Sequence, residues 1–137
     1  MNYIEFNIDE HGEEIVWAVN TAAMIKNGVI VFPFEKELES IFLIDEHFNF
    51  FDISLVKTPV SVHTDLSRWH DIAYKHILVH NHPNGFVWPS DADWRHESYL
   101  STLSTLCAFQ MIYGVGTGLF SMYKRRGNKR FFKLFQL

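Results

Sequence analysis

The sequence predicts an α/β (α+β) domain in which a central mixed sheet is flanked by about three helices and closed by a C-terminal β-hairpin. Three observations carry this expectation. Segments of strand period and of helix period alternate along the chain. Ile77-Leu78-Val79 is a short apolar run rich in β-branched residues, as suits a buried strand. Gly127-Asn128, between MYKRR and KRFFKLF, is the kind of pair that closes a two-residue hairpin.

Each element has its own signal. Residues 2–8 alternate like a short strand. From Glu13 to about Asn27, Ile15, Ala18, Val19, Ala22 and Ile25 recur at helical spacing, and Gly28 stands where a helix-terminating glycine belongs. Residues 29–34 (VIVFPF) read as a strand, with Pro33 marking an edge or an end. Residues 37–45 and 48–56 read as two strands joined by a short turn. Thr64 or Asp65 can cap a helix with Leu66, Trp69, Ala73 and Tyr74 on its apolar face. The strand over 77–79 ends at His80, and 82–90, with its two prolines and a glycine, is a loop. Ser90 opens a further helix bearing Tyr99, Leu103, Leu106 and Cys107 on one face, and strands follow at 109–115 and 118–124. No internal repeat, linker or low-complexity segment interrupts this order, so residues 1–137 read as one domain.

Composition narrows the function classes. Thirteen Phe and four Trp supply bulky core material, and 47% of the residues are hydrophobic. A chain of this length buries roughly two-thirds of its unfolded surface, enough for one core without disulfides. The lone Cys107 has no internal partner, which fits a reducing compartment. No apolar run approaches the ~20 residues that span a bilayer, and the first residues are acidic and polar. The expectation is a cytoplasmic protein with no membrane partner. Six of the twelve basic residues lie in the last fourteen positions, so residues 1–123 set six bases against sixteen acids, a net −10. An acidic body argues against general nucleic-acid binding. The basic tail suits an acidic partner.

The chemistry concentrates between His80 and Asp93. Two histidines at i, i+2 on a strand end project to the same face, their Cα atoms about 6–7 Å apart. An isolated His-x-His is common by chance, and most such histidines are surface residues or satisfied core residues. Asp93, delivered from the following helix, changes the balance. Two nitrogen ligands, one oxygen ligand and an open position describe a catalytic zinc site, and a single cysteine excludes a thiolate-rich structural one. Ser90-x-x-Asp93 also reads as a capping box, with Ser90 the N-cap and Asp93 favouring the positive helix start. The two readings are compatible, since a capped turn would hold Asp93 rigid.

The joint pattern His80-x-His82-x7-Ser90-x2-Asp93 resembles the signature of the JAMM/MPN (JAB domain) zinc metallopeptidases, which include deubiquitinases and their prokaryotic relatives. The wording HNHPNG followed by PS and D is most similar to the RadC-like branch, as is SVHTDLSRWH upstream. The resemblance implies a layered MPN/cytidine-deaminase-like fold, Zn2+ held by His80, His82 and Asp93, and a catalytic Glu opening a strand upstream of the histidines. The family pattern there is Glu followed three positions later by a small residue. Glu37 with Ser40 fits that frame. By strand alternation Glu37 and Glu39 share a face, so register alone does not separate them; Glu35 and Glu39 are the alternatives.

The resemblance further implies a mechanism. Glu37 would act as general base on a zinc-activated water, and Ser90 would donate a hydrogen bond to the developing oxyanion. Asn81 points to the opposite strand face and reads as structural. Phe86 and Trp88, on the loop beside the metal, are expected to wall the substrate groove, although such aromatics also cover cores. The expected substrate is a protein or peptide, such as the tail of a ubiquitin-like protein. Full-length RadC-like proteins carry an N-terminal DNA-associated helical region that is not legible here. The resemblance thus implies a minimal prokaryotic or phage-type isopeptidase. Two rivals remain open: a catalytically silent MPN-like scaffold, and a RadC-like protein with a nucleic-acid role.

Overall fold

The computed structural model describes residues 3–6, 8–65, 68, 77–95, 110–126 and 128–135. Its elements are α1 (Ile8–Lys26), β1 (Ile41–Ile44), β2 (Phe50–Asp52), β3 (Val56–Lys57), β4 (Val62–His63), β5 (Ile77–His82), β6 (Gln110–Gly114), β7 (Leu119–Arg126) and β8 (Lys129–Phe135). Residues 91–95 are also helical. Six strands form one sheet in the order β2-β1-β5-β6-β7-β8, and β3 and β4 form a separate two-stranded sheet. Among the described strands, β5 and β6 are the only parallel neighbours; the other strand pairs are antiparallel. The expected α+β class and mixed sheet are therefore present. Of the three expected helices, the described residues contain α1 and the 91–95 turn. The helix expected on Leu66, Trp69, Ala73 and Tyr74, and the face expected on Tyr99, Leu103, Leu106 and Cys107, lie outside the described residues.

Helix α1 starts five residues before the apolar periodicity, at Ile8, where Asp9 puts negative charge beside the positive helix end. Its termination follows the glycine. Gly28 adopts φ 73°, Val29 N–H donates to Met24 O at 2.9 Å, and Gly28 N–H to Ile25 O at 3.2 Å. This is a Schellman end, in which a left-handed residue lets the chain turn back on the last carbonyls. Ala18 and Ala22, one turn apart and fully buried, allow α1 close to the sheet.

The sheet has two different faces. Against α1 it sets Phe42, Ile44, Ile77, Val79, Met111, Phe120, Met122, Phe131 and Phe135. On the other face Ile112, Tyr123 and Phe132 pack with Val87, Trp94 and Tyr3. Neighbours such as Met111 and Ile112, or Phe131 and Phe132, divide between the faces as strand alternation requires. Along β5, Ile77 and Val79 go to the α1 side, so His80 and His82 go to the opposite side with Tyr123; the His80 and Tyr123 rings meet edge to face at 6.2 Å.

Several expected strands are shorter, each for a visible reason. Among the described residues of the segment expected over 2–8, pairing is a single parallel bridge, Ile4 with Phe131, and α1 already begins at Ile8. Residues 29–34 form no strand; Val29 and Ile30 donate instead to Met24 O in the helix end, and Phe32 packs its ring on Phe42 and Phe50. The segment expected over 37–45 pairs only from Ile41, since residues 36–37 form a turn. The segment expected over 48–56 breaks at Ser54, whose hydroxyl accepts from Ile41 N–H at 2.9 Å and frees Val56 to pair with His63. The C-terminal hairpin is as expected: Arg126 pairs with Lys129, which leaves two residues for the turn.

The tightest backbone approach lies beside the histidine strand. Val115 N–H donates to His82 O at 3.1 Å, and Thr117 Oγ1–H to Gly114 O at 2.9 Å, so the end of β6 carries the loop that follows β5. A Cβ at Gly114 would collide with the Gly85 carbonyl. Gly114→Ala should therefore lower stability by about 1–3 kcal/mol through backbone displacement. It should weaken metal retention at the same time, because the displaced loop is the one that orients His82. Thermal melting and metal analysis of the variant check both; an unchanged melt would mean that Gly114 is not under this constraint.

Candidate metal centre

At the end of β5 four side chains converge. The ligating atoms of Glu39, His80, His82 and Asp93 lie within 4.8 Å of one another, and this group can hold a metal ion. His80 Nε2 is 3.3 Å from Asp93 Oδ1, His82 Nε2 is 3.3 Å from Asp93 Oδ2, and the two Nε2 atoms are 3.0 Å apart. Tetrahedral zinc with bonds of about 2.0–2.1 Å needs donors about 3.3 Å apart. The imidazole pair and each imidazole–carboxylate contact are close to that spacing, with the two histidines facing different oxygens of Asp93. Glu39 Oε1 sits further out, 3.8 Å from His80 Nε2 and 4.0 Å from His82 Nε2, beside the trio rather than within it.

Each side chain is placed by its own local structure. His80 and His82 share a face because they are two apart on β5, which lies inside the sheet and is buried along its whole length. His82 Nδ1 lies 2.9 Å from Phe86 O, so a proton on Nδ1 donates to that carbonyl and leaves the Nε2 lone pair for a metal. Asp93 comes from the first helical turn after the loop. Its Oδ2 accepts Ser90 N–H at 2.9 Å, and its own N–H donates to Ser90 Oγ at 3.1 Å. The expected capping box is thus formed in full, and its acidic member also faces both imidazoles.

Glu39, not Glu37, reaches the centre, a correction to the register expected from the sequence. Glu37 lies in the 36–37 turn and is exposed, while Glu39 is 6% exposed. The pairing Ile41↔His80 explains this: one further step of two residues brings Glu39 opposite His82. The chain leaves the strand path before Glu37. Glu35, the other alternative, is exposed and lies 3.7 Å from Lys57 Nζ.

Phe86 and Trp88 do not line the small cavity beside the centre. That cavity, with about 100 Å³ of space, is lined by Glu39, Pro59, Val60, His82, Pro83, Asn84 and Ser90. Trp88 turns away to stack on Phe132 at 4.3 Å and on Tyr3 at 5.5 Å, and Phe86 contributes its carbonyl to His82 while its side chain stays exposed. The sequence reasoning missed Pro59 and Val60. Their turn is tied by Thr58 N–H to Ser61 O at 2.9 Å, and Thr58 O accepts Glu39 N–H at 2.8 Å. Val60 is 85% exposed, and a lone exposed Val in a turn carries no signal in the sequence.

The electrostatics suit a cation. Burial works against the Asp93 carboxylate, but the charges and hydrogen bonds of His80 and His82 outweigh it and hold its pKa far below the usual carboxylate range. Burial would lower the His80 pKa; Asp93, with Glu39 adding to it, raises it instead. Burial raises the Glu39 pKa, opposed by the two histidines and supported by Asp93. Two buried carboxylates facing two imidazoles leave the centre dependent on protons or a metal for charge balance.

No protein-family model matches this sequence, and no curated protein matches it. Among the described residues, no helix is long and apolar enough to cross a membrane.

One metal ion per chain is expected, and His80→Ala, His82→Ala and Asp93→Ala should each remove most of it. Full metal stoichiometry in purified His82→Ala would overturn the ligand set. Protons compete with metal at the His80 imidazole, whose pKa is raised in the metal-free site, so affinity should weaken as pH falls. A metal titration at several pH values reads that dependence directly.

Proposed function

We propose that this chain is a zinc-dependent peptidase or isopeptidase of the JAMM type, built on an MPN-like form of its α+β sheet. It would cut a peptide or isopeptide bond in a protein or peptide substrate, such as the tail of a ubiquitin-like protein. The observation that carries the reading is the position of Glu39. Its carboxylate stands 3.8 Å and 4.0 Å from the two imidazole nitrogens, outside the tight donor trio but on the wall of the cavity that reaches it. A structural zinc site closes its fourth position with a protein ligand, whereas Glu39 stands back from the trio as the fourth side chain of the group.

In this reading His80, His82 and Asp93 hold the zinc. A zinc ion with three protein ligands supplies Lewis acidity, lowering the pKa of water toward ~7 and polarising a carbonyl. Glu39 Oε1 takes the proton released as water's hydroxyl joins the carbonyl carbon. It then delivers that proton to the nitrogen as the C–N bond breaks. Burial, which raises the Glu39 pKa, brings the group closer to neutrality and suits it to both transfers. Ser90 lines the same cavity; its Oγ accepts Asp93 N–H, and its own O–H remains to donate to the developing oxyanion. Pro59 and Val60 line the cavity together with His82 and Pro83 and give it an apolar wall.

The direct test is hydrolysis of peptide-linked and isopeptide-linked fluorogenic substrates by the zinc-loaded protein, with chelation abolishing it. Zinc-loaded protein that cuts neither class would sink the reading. Glu39→Gln should lower turnover by about 10²–10⁴-fold while zinc stays bound, and Glu37→Ala should leave turnover unchanged. The opposite pattern would restore Glu37 as the base.

Ser90→Ala separates its two duties. Loss of an oxyanion donor lowers kcat by about 10²–10³-fold. Loss of the cap alone lowers stability by about 1 kcal/mol and leaves kcat nearly intact. Both effects are expected together, and melting measured beside kinetics distinguishes them.

A further inference from the structure

We propose that Asn81 is the positioning residue for Glu39: its buried side-chain amide clamps the backbone on both sides of that glutamate and sets its carboxylate beside the histidines. The inference rests on the reading of Glu39 as the proton carrier. It concerns a residue that lies between the two metal ligands but points away from them.

The geometry is specific. Asn81 is fully buried, and its side chain uses every strong hydrogen-bonding group it has. Oδ1 accepts Ser40 N–H at 2.9 Å. Nδ2 donates to Leu38 O at 2.8 Å and to Glu35 O at 3.4 Å. These partners fix the amide's orientation, since a flipped amide would set its NH2 against an N–H and its oxygen against two carbonyls. The clamped groups are the carbonyl before Glu39 and the amide after it.

Regular pairing cannot do this work. The β1–β5 ladder begins at Ile41, and Glu39 and Ser40 belong to no strand. One backbone bond, Asn81 N–H to Ser40 O at 3.3 Å, continues the ladder by a step. The Asn81 side chain then stands in for the next peptide group and carries the pairing past the strand end. From the other side Thr58 O holds Glu39 N–H at 2.8 Å. Because successive β5 side chains alternate, His80 and His82 can ligate on one face while Asn81 secures Glu39 from the other. The three consecutive residues thereby fix both the donor pair and the group that works beside it.

The test pairs hydrogen exchange with a double-mutant cycle. In the wild-type protein the Ser40 amide should exchange slowly although it lies outside any strand; fast exchange there overturns the clamp without any variant. In Asn81→Ala the Ser40 amide should exchange at least about tenfold faster while the β5 amides keep their protection. Zinc content should stay at one per chain, and kcat should fall about 10²-fold with KM unchanged, the scale of a misplaced catalytic group. In a Glu39→Gln background the same substitution should lower residual turnover less than about twofold. Unchanged Ser40 exchange, loss of zinc, or an equal loss of turnover in both backgrounds would each overturn the proposal. Should Asn81→Ala fail to fold, Asn81→Leu, which keeps the volume and gives up the accepted bond from Ser40 N–H as well as both donated bonds, takes its place in every arm. If the wild-type protein hydrolyses nothing, the function fails, and the exchange measurements still decide whether Asn81 holds Glu39.

Discussion

The alternation of side chains at the end of one buried strand governs the molecule's chemistry. β5 lies inside the sheet, between β1 and β6, and its last three residues are His80, Asn81 and His82. A strand paired on both sides has no freedom to rotate, so the two imidazoles are committed to one face and the amide to the other. A one-residue slip of register would send both histidines toward α1 and the phenylalanines packed there. The apolar faces on the two sides of the sheet therefore set the direction of the two imidazoles as firmly as they set the core. Residues with no chemical role, such as Val79 and Met111, hold that register.

The remaining parts of the centre join this strand through groups that do two jobs. Asp93 closes a capping box with Ser90 and faces both imidazoles through its two oxygens. The helix start thus prepares a carboxylate for a cation, with its backbone already satisfied. Phe86, whose ring is exposed, supplies the carbonyl that settles the His82 tautomer. Ser121 Oγ–H donates to Val87 O at 2.6 Å, which ties the same loop to β7. A loop with two prolines becomes stiff because its carbonyls are claimed by neighbouring strands.

Legibility from the sequence followed the range of the interactions. His80, His82, Ser90 and Asp93 sit within fourteen residues, and their spacing converts directly into a strand end, a loop and a capped turn. Gly28 and the Arg126–Lys129 turn were legible for the same reason, since local backbone chemistry decides them. Glu39 was not separable from Glu37, because alternation puts both on one face and only the point where the strand ends tells them apart. That point is set by Asn81 and Thr58, residues distant in sequence from Glu39. The stacking of Trp88 was not legible for a related reason. Its stacking partners, Tyr3 and Phe132, lie at opposite ends of the chain. No local pattern announces them.

The stack of Tyr3, Trp88 and Phe132 has a consequence for the order of assembly. All four members of the centre have been synthesised once Asp93 has been added, yet the ring that braces the loop between His82 and Ser90 waits for β8. Ile4, too, has no backbone partner until Arg130 and Phe132 are available. Pairing the earliest residues with the latest is slow by loop-closure entropy, and it comes after the local turns. A nascent chain would therefore own its ligands before it could hold them still. Until then the loop between His82 and Ser90 lacks the stacking of Trp88 on Phe132, and the last hairpin completes the packing around the four side chains.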